Sequence, residues 1–451
     1  MSKRRAMRQG LTGLSDPMTR NSVALMGNTI VTSALGYVFW IVVARIFDTE
    51  AGGTAAATTS AIQATVLTAS VGAAAALVEW LPRSADALQW RRRVTTAWVV
   101  GAVTALAGGS AVVAVFGFGF ATLPQLATPP GAMLFVLGCV FFSIGQVIDY
   151  VAICEHRGGL LMMRNMVLSG TRIPLILLPV TVLTGADSIL FSWTAAAGLS
   201  LLWTCLFFGN RGGNTLWPSF TGMRTHVREM ASSLAGQHLI TVTAMLAGYV
   251  LPIIVVSRLS ATDNAYFYIT WMLGSVFFII SPAVSAALFV EGAADPSKLP
   301  HQARRCLVIV LALLTAPVLV YVVAGRWILG VFGEDYAQHG YLLLLILAVS
   351  AVPDAISNVA VSVLRVTRRV RSALVLNVGV LIGSVVGAWY ALPVLGIVGA
   401  GLAWTLSQAL GAIWVLVRWK AILGGGVTPD LPAALAVCED VAPVTAEGSV
   451  R

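Results

Sequence analysis

VVARIFDTEAG, residues 42–52, is followed about two hundred residues later by VVSRLSATDNA, residues 255–265. The two align without a gap: Val42 and Val43 fall on Val255 and Val256, Arg45 on Arg258, and Thr49 on Thr262. Each closes one long apolar stretch and opens another, so each reads as the tip of a helical hairpin. A tip used twice at this separation divides the chain into two similar halves, an internal symmetry frequent among transport proteins.

Composition sets the solvent. Of 451 residues, 58% are apolar and only 10% are charged, and the mean hydropathy is +0.86. Such a chain belongs in a bilayer. The net charge of +9 does not indicate nucleic-acid binding, because the basic residues sit in short loops between apolar runs, where their usual role is topological.

Twelve apolar runs have membrane-spanning length, at about 22–46, 54–80, 94–116, 131–154, 166–183, 189–208, 237–257, 265–290, 306–324, 341–364, 372–392 and 395–417. The expected organisation is a cytoplasmic basic tail over 1–21, a six-helix bundle over 22–208, a cytoplasmic linker over 209–236, a second six-helix bundle over 237–417 and a disordered cytoplasmic tail over 418–451. The leader has no short apolar core with a small-residue cleavage site, so it reads as retained. The fold class expected is all-α and integral to the membrane.

Orientation follows from the loops. On the amino-terminal side every loop carries Lys or Arg, among them Arg83, Arg91, Arg92 and Arg93, then Arg157 and Arg164, then Arg365, Arg368, Arg369 and Arg371. The loops of the other side carry only Arg258 and Arg326. This bias places both termini in the cytoplasm. With an even number of spans in each half, the repeat is parallel, its pseudo-twofold axis along the membrane normal.

Several chemistries are disfavoured. The five cysteines and five histidines are dispersed without paired or ligand spacing, so no metal site is expected. No cofactor is expected either. GNRGGNT at 209–215 lacks the lysine of a phosphate-cradling loop and reads as flexible linker. Glu334 and Asp335 in FGEDY have no histidine or ligand spacing beside them and read as a solvated start of a span.

Function should sit at ionisable groups inside the spans, since a charge there costs roughly 2.5–3.5 kcal/mol even on insertion scales. Arg172 lies about two turns into the fifth span, before Pro174. Asp354 lies near the middle of the tenth, after Pro353, where an irregular, cavity-lining helix is expected. Asp149 and Gln146 approach the cytoplasmic end of the fourth span, and folding spans four and five together predicts either an Arg172–Asp149 ion pair or a direct substrate role for Arg172. Glu79 at the inner end of span two reads as interfacial. Arg45 and Arg258, at the outer ends of spans one and seven, either snorkel to the interface or, facing the pseudo-axis, form two cationic claws suited to phosphate or pyrophosphate. The polar residues Asn28, Gln63, Gln237, His238, Asn358, Asn377 and Gln408 read as helix-to-helix hydrogen-bonding groups.

VVARIFDTEAGGTAA, VVSRLSATDNAYFYIT, LGVFGEDY before span ten and LGIVGAGLAWTLSQ opening span twelve resemble the polysaccharide-transport, Wzx-like branch of the multidrug/oligosaccharidyl-lipid/polysaccharide exporter superfamily. The resemblance covers roughly residues 20–418. It implies two six-helix bundles flanking a central cavity and working by alternating access. It also implies a multi-pass protein of a bacterial cytoplasmic membrane that moves an undecaprenyl-pyrophosphate-linked oligosaccharide outward without ATP hydrolysis. Membrane lipids and the lipid-linked glycan are the implied partners, glycan polymerase machinery is a candidate partner, and Arg45, Arg172 and Arg258 are the positions able to meet the pyrophosphate.

Two alternatives stand beside the flippase. A cation-coupled drug or small-molecule exporter of the same superfamily would use carboxylates such as Asp149 or Asp354. A membrane glycan polymerase or ligase is disfavoured, because the longest outer connections, 117–130 and 325–340, are short for a loop bearing a reaction centre.

Overall fold

The computed structural model describes residues 17–69, 76–77, 80–120, 122–178, 183, 185–208, 218–223, 226–227, 235–294 and 298–423. The basic leader to residue 16, Glu79, the GNRGGNT stretch, most of the linker and the tail beyond 423 lie outside them. Among the described residues there is no strand.

Twelve long helices follow one another: α1 (Pro17–Ile46), α2 (Thr49–Ala69), α3 (Ala87–Val112), α4 (Pro129–Cys154), α5 (Gly158–Ile176), α6 (Ala186–Phe208), α7 (Ala235–Arg258), α8 (Ala261–Ala294), α9 (Leu299–Gly330), α10 (Glu334–Val366), α11 (Val370–Leu395) and α12 (Ile397–Val417), with a short α13 (Trp419–Leu423) at the end. Among the described residues ten helices are long and apolar enough to cross a membrane. The other two long helices, α2 and α5, fall short of that for a reason: α2 is rich in Gly, Ala and Thr, and α5 carries Arg164, Asn165 and Arg172.

The neighbour pattern is the same in both halves. In the first, α1 packs on α5, α3 on α4, α4 on α6 and α5 on α6; in the second, α7 packs on α11, α9 on α10, α10 on α12 and α11 on α12. Both tips form as the repeat predicts, between Ile46 and Thr49 and between Arg258 and Ala261. Each is closed by a capping side chain that satisfies the free amides of the next helix. Asp48 Oδ1 accepts from the Ala51 amide at 2.9 Å. Ser260 Oγ accepts from the Asp263 amide at 3.0 Å and donates to Asp263 Oδ2 at 2.6 Å.

Three expectations are corrected. The connection expected at 325–340 is only residues 331–333, since α9 runs to Gly330 and α10 starts at Glu334. Polar first turns extend helices beyond their apolar runs. In the connection expected at 117–130, α3 continues as a π-helix over Val113–Gly119 and a 3₁₀ turn forms at Pro124–Ala127. Finally, α10 stays helical through Pro353, so the proline does not produce the irregular helix expected there.

Across the halves, the extensive pairings are α2 with α7 and α2 with α8. Residues Ala51–Gly53, Ala55–Ile62, Thr65 and Val66 of α2 are all buried, because the helix is wedged between its own bundle and the other. Only small residues permit that approach. A Cβ on Gly53 would stand 1.7 Å from the Ala261 carbonyl oxygen. Asn264, fully buried, donates to the Gly53 carbonyl at 2.7 Å. The threonines Thr58, Thr59 and Thr65 spend their hydroxyls on carbonyls one turn back, which hides their polarity. The two hairpin tips therefore meet each other.

Candidate functional site

The α4–α5 hairpin builds the first half's polar centre. Only residues 155–157 separate the two helices, so the first turns of α5 lie beside the last turns of α4. Arg164, buried to 4% exposure, grips Asp149 with two parallel hydrogen bonds, Nε to Oδ1 at 2.8 Å and Nη2 to Oδ2 at 2.5 Å. Asn165 Oδ1 accepts a further bond from Nη2 at 2.8 Å. Gly145 on α4 makes the crossing possible, since a Cβ there would lie 2.7 Å from Arg164 Nη1.

This corrects the Arg172–Asp149 pair expected from the sequence. Arg164 is a helix residue and not a loop cation: α5 begins at Gly158, which puts Arg164 level with Asp149. Arg172 stands eight residues further on, about 12 Å deeper along the helix.

Arg172 has a different environment. Its guanidinium lies over the Trp193 ring at 4.0 Å and is 5.6 Å from the Phe142 ring. It makes no ion pair with a described residue, and its Nε is buried without a hydrogen-bond partner. Cation–π attraction holds such a group in place without using up its donors. Trp193 also stands edge-on to Phe39 at 6.4 Å, and Trp40 packs on Tyr268 of the second half at 4.7 Å. Trp193, Phe142 and Ile173 around Arg172 belong to the same apolar cluster as Phe267 and Tyr268 of the second half, so Arg172 sits where the halves face each other.

Arg45 and Arg258 do not converge in this conformation. Arg45 crosses to the second half and donates from Nε and Nη2 to the Val331 carbonyl at 3.1 and 2.7 Å, and from Nη2 to Gly330 at 3.3 Å. A cation there satisfies the last carbonyls of α9 and complements its dipole. Arg258 donates to the Trp389 carbonyl at 3.2 Å and lies over that residue's ring at 4.6 Å. The matched positions of the repeat therefore have unmatched partners.

The second half has its own buried polar centre. Asp354 is 5% exposed, and its Oδ1 accepts from Gln408 Nε2 at 3.1 Å. Its Oδ2, together with Ser281 Oγ, Ser357 Oγ and Gln408 Oε1, is buried without a partner in bonding geometry. Of the other amides, Asn377 joins helices as expected, donating to the Ile240 carbonyl at 3.1 Å. Asn358 bonds within its own helix, to the Asp354 carbonyl at 3.1 Å. Asn28 Oδ1 and His238 Nε2 are buried without partners, and Gln63 lines a cavity with Gln146 and Asp149.

Sequence reasoning missed Arg164, Trp193, Gly53 and Asn264 as members of these arrangements. For Arg164 a signal existed: Arg164, Leu168 and Arg172 recur at helical spacing on one face. For Trp193 and Asn264, whose partners lie on distant helices, no local signal exists.

The comparisons with known proteins agree with this architecture. A family profile described as MatE matches residues 238–390. Among curated proteins none matches the sequence significantly. Among solved structures, the inward-facing conformation of a multidrug resistance MATE family transporter of the MOP superfamily superposes with TM-score 0.64 at 15% identity, covering 87% of this chain and 95% of that one. The outward-facing conformation of such a transporter gives 0.63 at 15% identity, over 91% and 98%. The lipid II flippase MurJ, in an inward closed conformation, gives 0.70 at 11% identity, over 88% and 87%. The chain has the fold shared by these transporters.

Proposed function

We propose that this protein moves a lipid-linked oligosaccharide, carried on undecaprenyl pyrophosphate, from the inner to the outer leaflet of a bacterial cytoplasmic membrane by alternating access. The observation that carries the reading is Arg172: a cation held on Trp193, unpaired, at the interface between the halves. A group so placed is preorganised for an anion that arrives with the substrate, because its donors need not be stripped from a protein partner first. The fold shared with a lipid II flippase supports the same reading. No reaction is catalysed in this scheme.

On this reading the tips face outward, as the loop charges indicate, and the substrate enters from the cytoplasmic side. Outward movement of a negatively charged head group gains about 2.3 kcal/mol per charge per 100 mV of inside-negative potential. That gain drives export without a nucleotide. Arg45 acts on this reading when the tips part and its carbonyl partners in the other half move away, and Arg258 when it leaves Trp389.

A second reading is favoured by one specific observation, the unpartnered oxygens around Asp354. A buried carboxylate with the oxygens of Ser281, Ser357 and Gln408 beside it is suited to a small cation, which is what a cation-coupled exporter of drugs or small molecules requires. The two readings separate in cells with and without the protein, by the leaflet location of labelled undecaprenyl-pyrophosphate glycan. Accumulation on the inner leaflet in its absence, reversed by re-expression, supports the flippase; an unchanged distribution with altered drug efflux supports the exporter.

A further inference from the structure

Beside Arg172 the first half holds a cavity of about 190 Å3 that the anion site does not use. Its polar lining is Gln63 from α2, Gln146 and Asp149 from α4, and Arg164 and Asn165 from α5, with the Phe141 and Phe142 rings as apolar wall. Phe142 is shared with Arg172, whose guanidinium is 5.6 Å from it. The cavity and the anion site are therefore adjoining compartments, and Leu168, one helical turn from both Arg164 and Arg172, lies between them.

The charge in this cavity is cancelled. Asp149 and Arg164 saturate each other through two hydrogen bonds, so a phosphate would meet a carboxylate and a cation would meet a guanidinium. What remains on offer is neutral hydrogen bonding. Gln146 Oε1 is buried without a partner. Asn165 spends its Oδ1 on Arg164 and its amide on Asp149, whereas Gln63 makes no hydrogen bond to a described residue and keeps its amide nitrogen as a donor. Asp149 keeps a quarter of its side chain open, 25% against 5% for Arg164, so the carboxylate edge is the face an entering hydroxyl meets. Buried amide acceptors and donors, a carboxylate edge and two aromatic walls match a hydroxylated ring carrying an amide.

We propose that this cavity binds an acetamido sugar of the glycan, next to the phosphate, with Gln146 and Gln63 pairing to its amide and the Asp149–Arg164 pair to its hydroxyls. The assignment rests on the proposed function in one respect only, that the sugar is joined to an anion held at Arg172.

The test uses the full-length protein purified in lipid nanodiscs, with binding read by ligand-detected NMR and by Trp fluorescence. The probes are N-acetylglucosamine 1-phosphate, glucose 1-phosphate, methyl N-acetylglucosaminide and inorganic phosphate. Gln146→Leu and Gln63→Leu should each weaken the acetamido probes about tenfold, the cost of one unsatisfied hydrogen bond, and leave glucose 1-phosphate and phosphate unchanged. Arg172→Ala should weaken the phosphate-bearing probes and spare the methyl glycoside. If the acetamido probes bind wild type no better than glucose 1-phosphate, or if Gln146→Leu and Gln63→Leu weaken all probes alike, the cavity is not an acetamido-sugar site. If the methyl glycoside binds in a Gln146-dependent way while phosphate never binds, the cavity assignment stands and the anion role of Arg172 fails.

Discussion

Arg164 and Asp149, fifteen residues apart on adjacent helices, form a two-point ion pair inside the first bundle, Nε to Oδ1 at 2.8 Å and Nη2 to Oδ2 at 2.5 Å. Planar guanidinium and planar carboxylate match in this geometry, and each neutralises a charge that would otherwise be stranded in a span.

Removing one partner leaves the other uncompensated. Arg164→Ala should cost about 3 kcal/mol of stability, toward the low end for a buried pair because Asp149 is partly open. The double replacement Arg164→Leu with Asp149→Leu should recover much of that loss. Thermal unfolding in detergent of wild type, both single variants and the double variant reads the coupling; strictly additive effects would mean the pair is not an energetic unit.

The contact between the tips should be sensitive to a single methyl group. Gly53→Ala places its Cβ at 1.7 Å from the Ala261 carbonyl oxygen, so the helices cannot keep this spacing. Asn264→Ala removes the 2.7 Å bond to the Gly53 carbonyl and should shift the closed-to-open equilibrium about tenfold. Spin-label distances between α2 and α8 should lengthen in both variants. Unaltered distance distributions would show that this approach does not gate the tip end.

Among the three arginines, transport should fall unequally. Arg172→Ala removes the only one of the three without a carbonyl acceptor in this conformation and should lower glycan export by more than an order of magnitude. Trp193→Leu withdraws its platform and should cost substrate affinity about tenfold, in line with 1–2 kcal/mol for a desolvated cation–π contact. Arg45→Ala should act through the conformational equilibrium, since its donors go to Gly330 and Val331 of the other half, and should alter spin-label distances as well as rate. Equal, mild effects from all three in an export assay would remove the basis for singling out Arg172.

Asp354 separates the two functional readings. Asp354→Asn keeps the Gln408 hydrogen bond within reach and deletes a buried charge, so the protein should remain folded. In the flippase reading driven by potential alone, export by the variant should persist and show the same dependence on sodium and pH gradients as wild type. Export that loses an ion dependence present in wild type would transfer weight to the cation-coupled exporter.

Much of the architecture was legible in the residues alone. Span length, loop charge and a tip repeated at 42–52 and 255–265 are local or periodic signals, because a bilayer imposes one length and one backbone solution on every crossing. They determined an all-helical membrane protein, two like halves and hairpin turns at Ile46 and Arg258. Side-chain partnership was decided by tertiary structure. The sequence pointed to Arg172 as the partner of Asp149, yet the hairpin begins α5 at Gly158 and brings Arg164 to that level. The repeat made Arg45 and Arg258 look equivalent, yet one caps α9 across the interface and the other rests on Trp389 within its own half. Which polar groups meet depends on helix rotation and on where a helix starts, Gly158 for α5 against residue 166 for its apolar run, neither of which an apolar run encodes; which groups stay unpaired, at Arg172, Gln146 and Asp354, depends on both together.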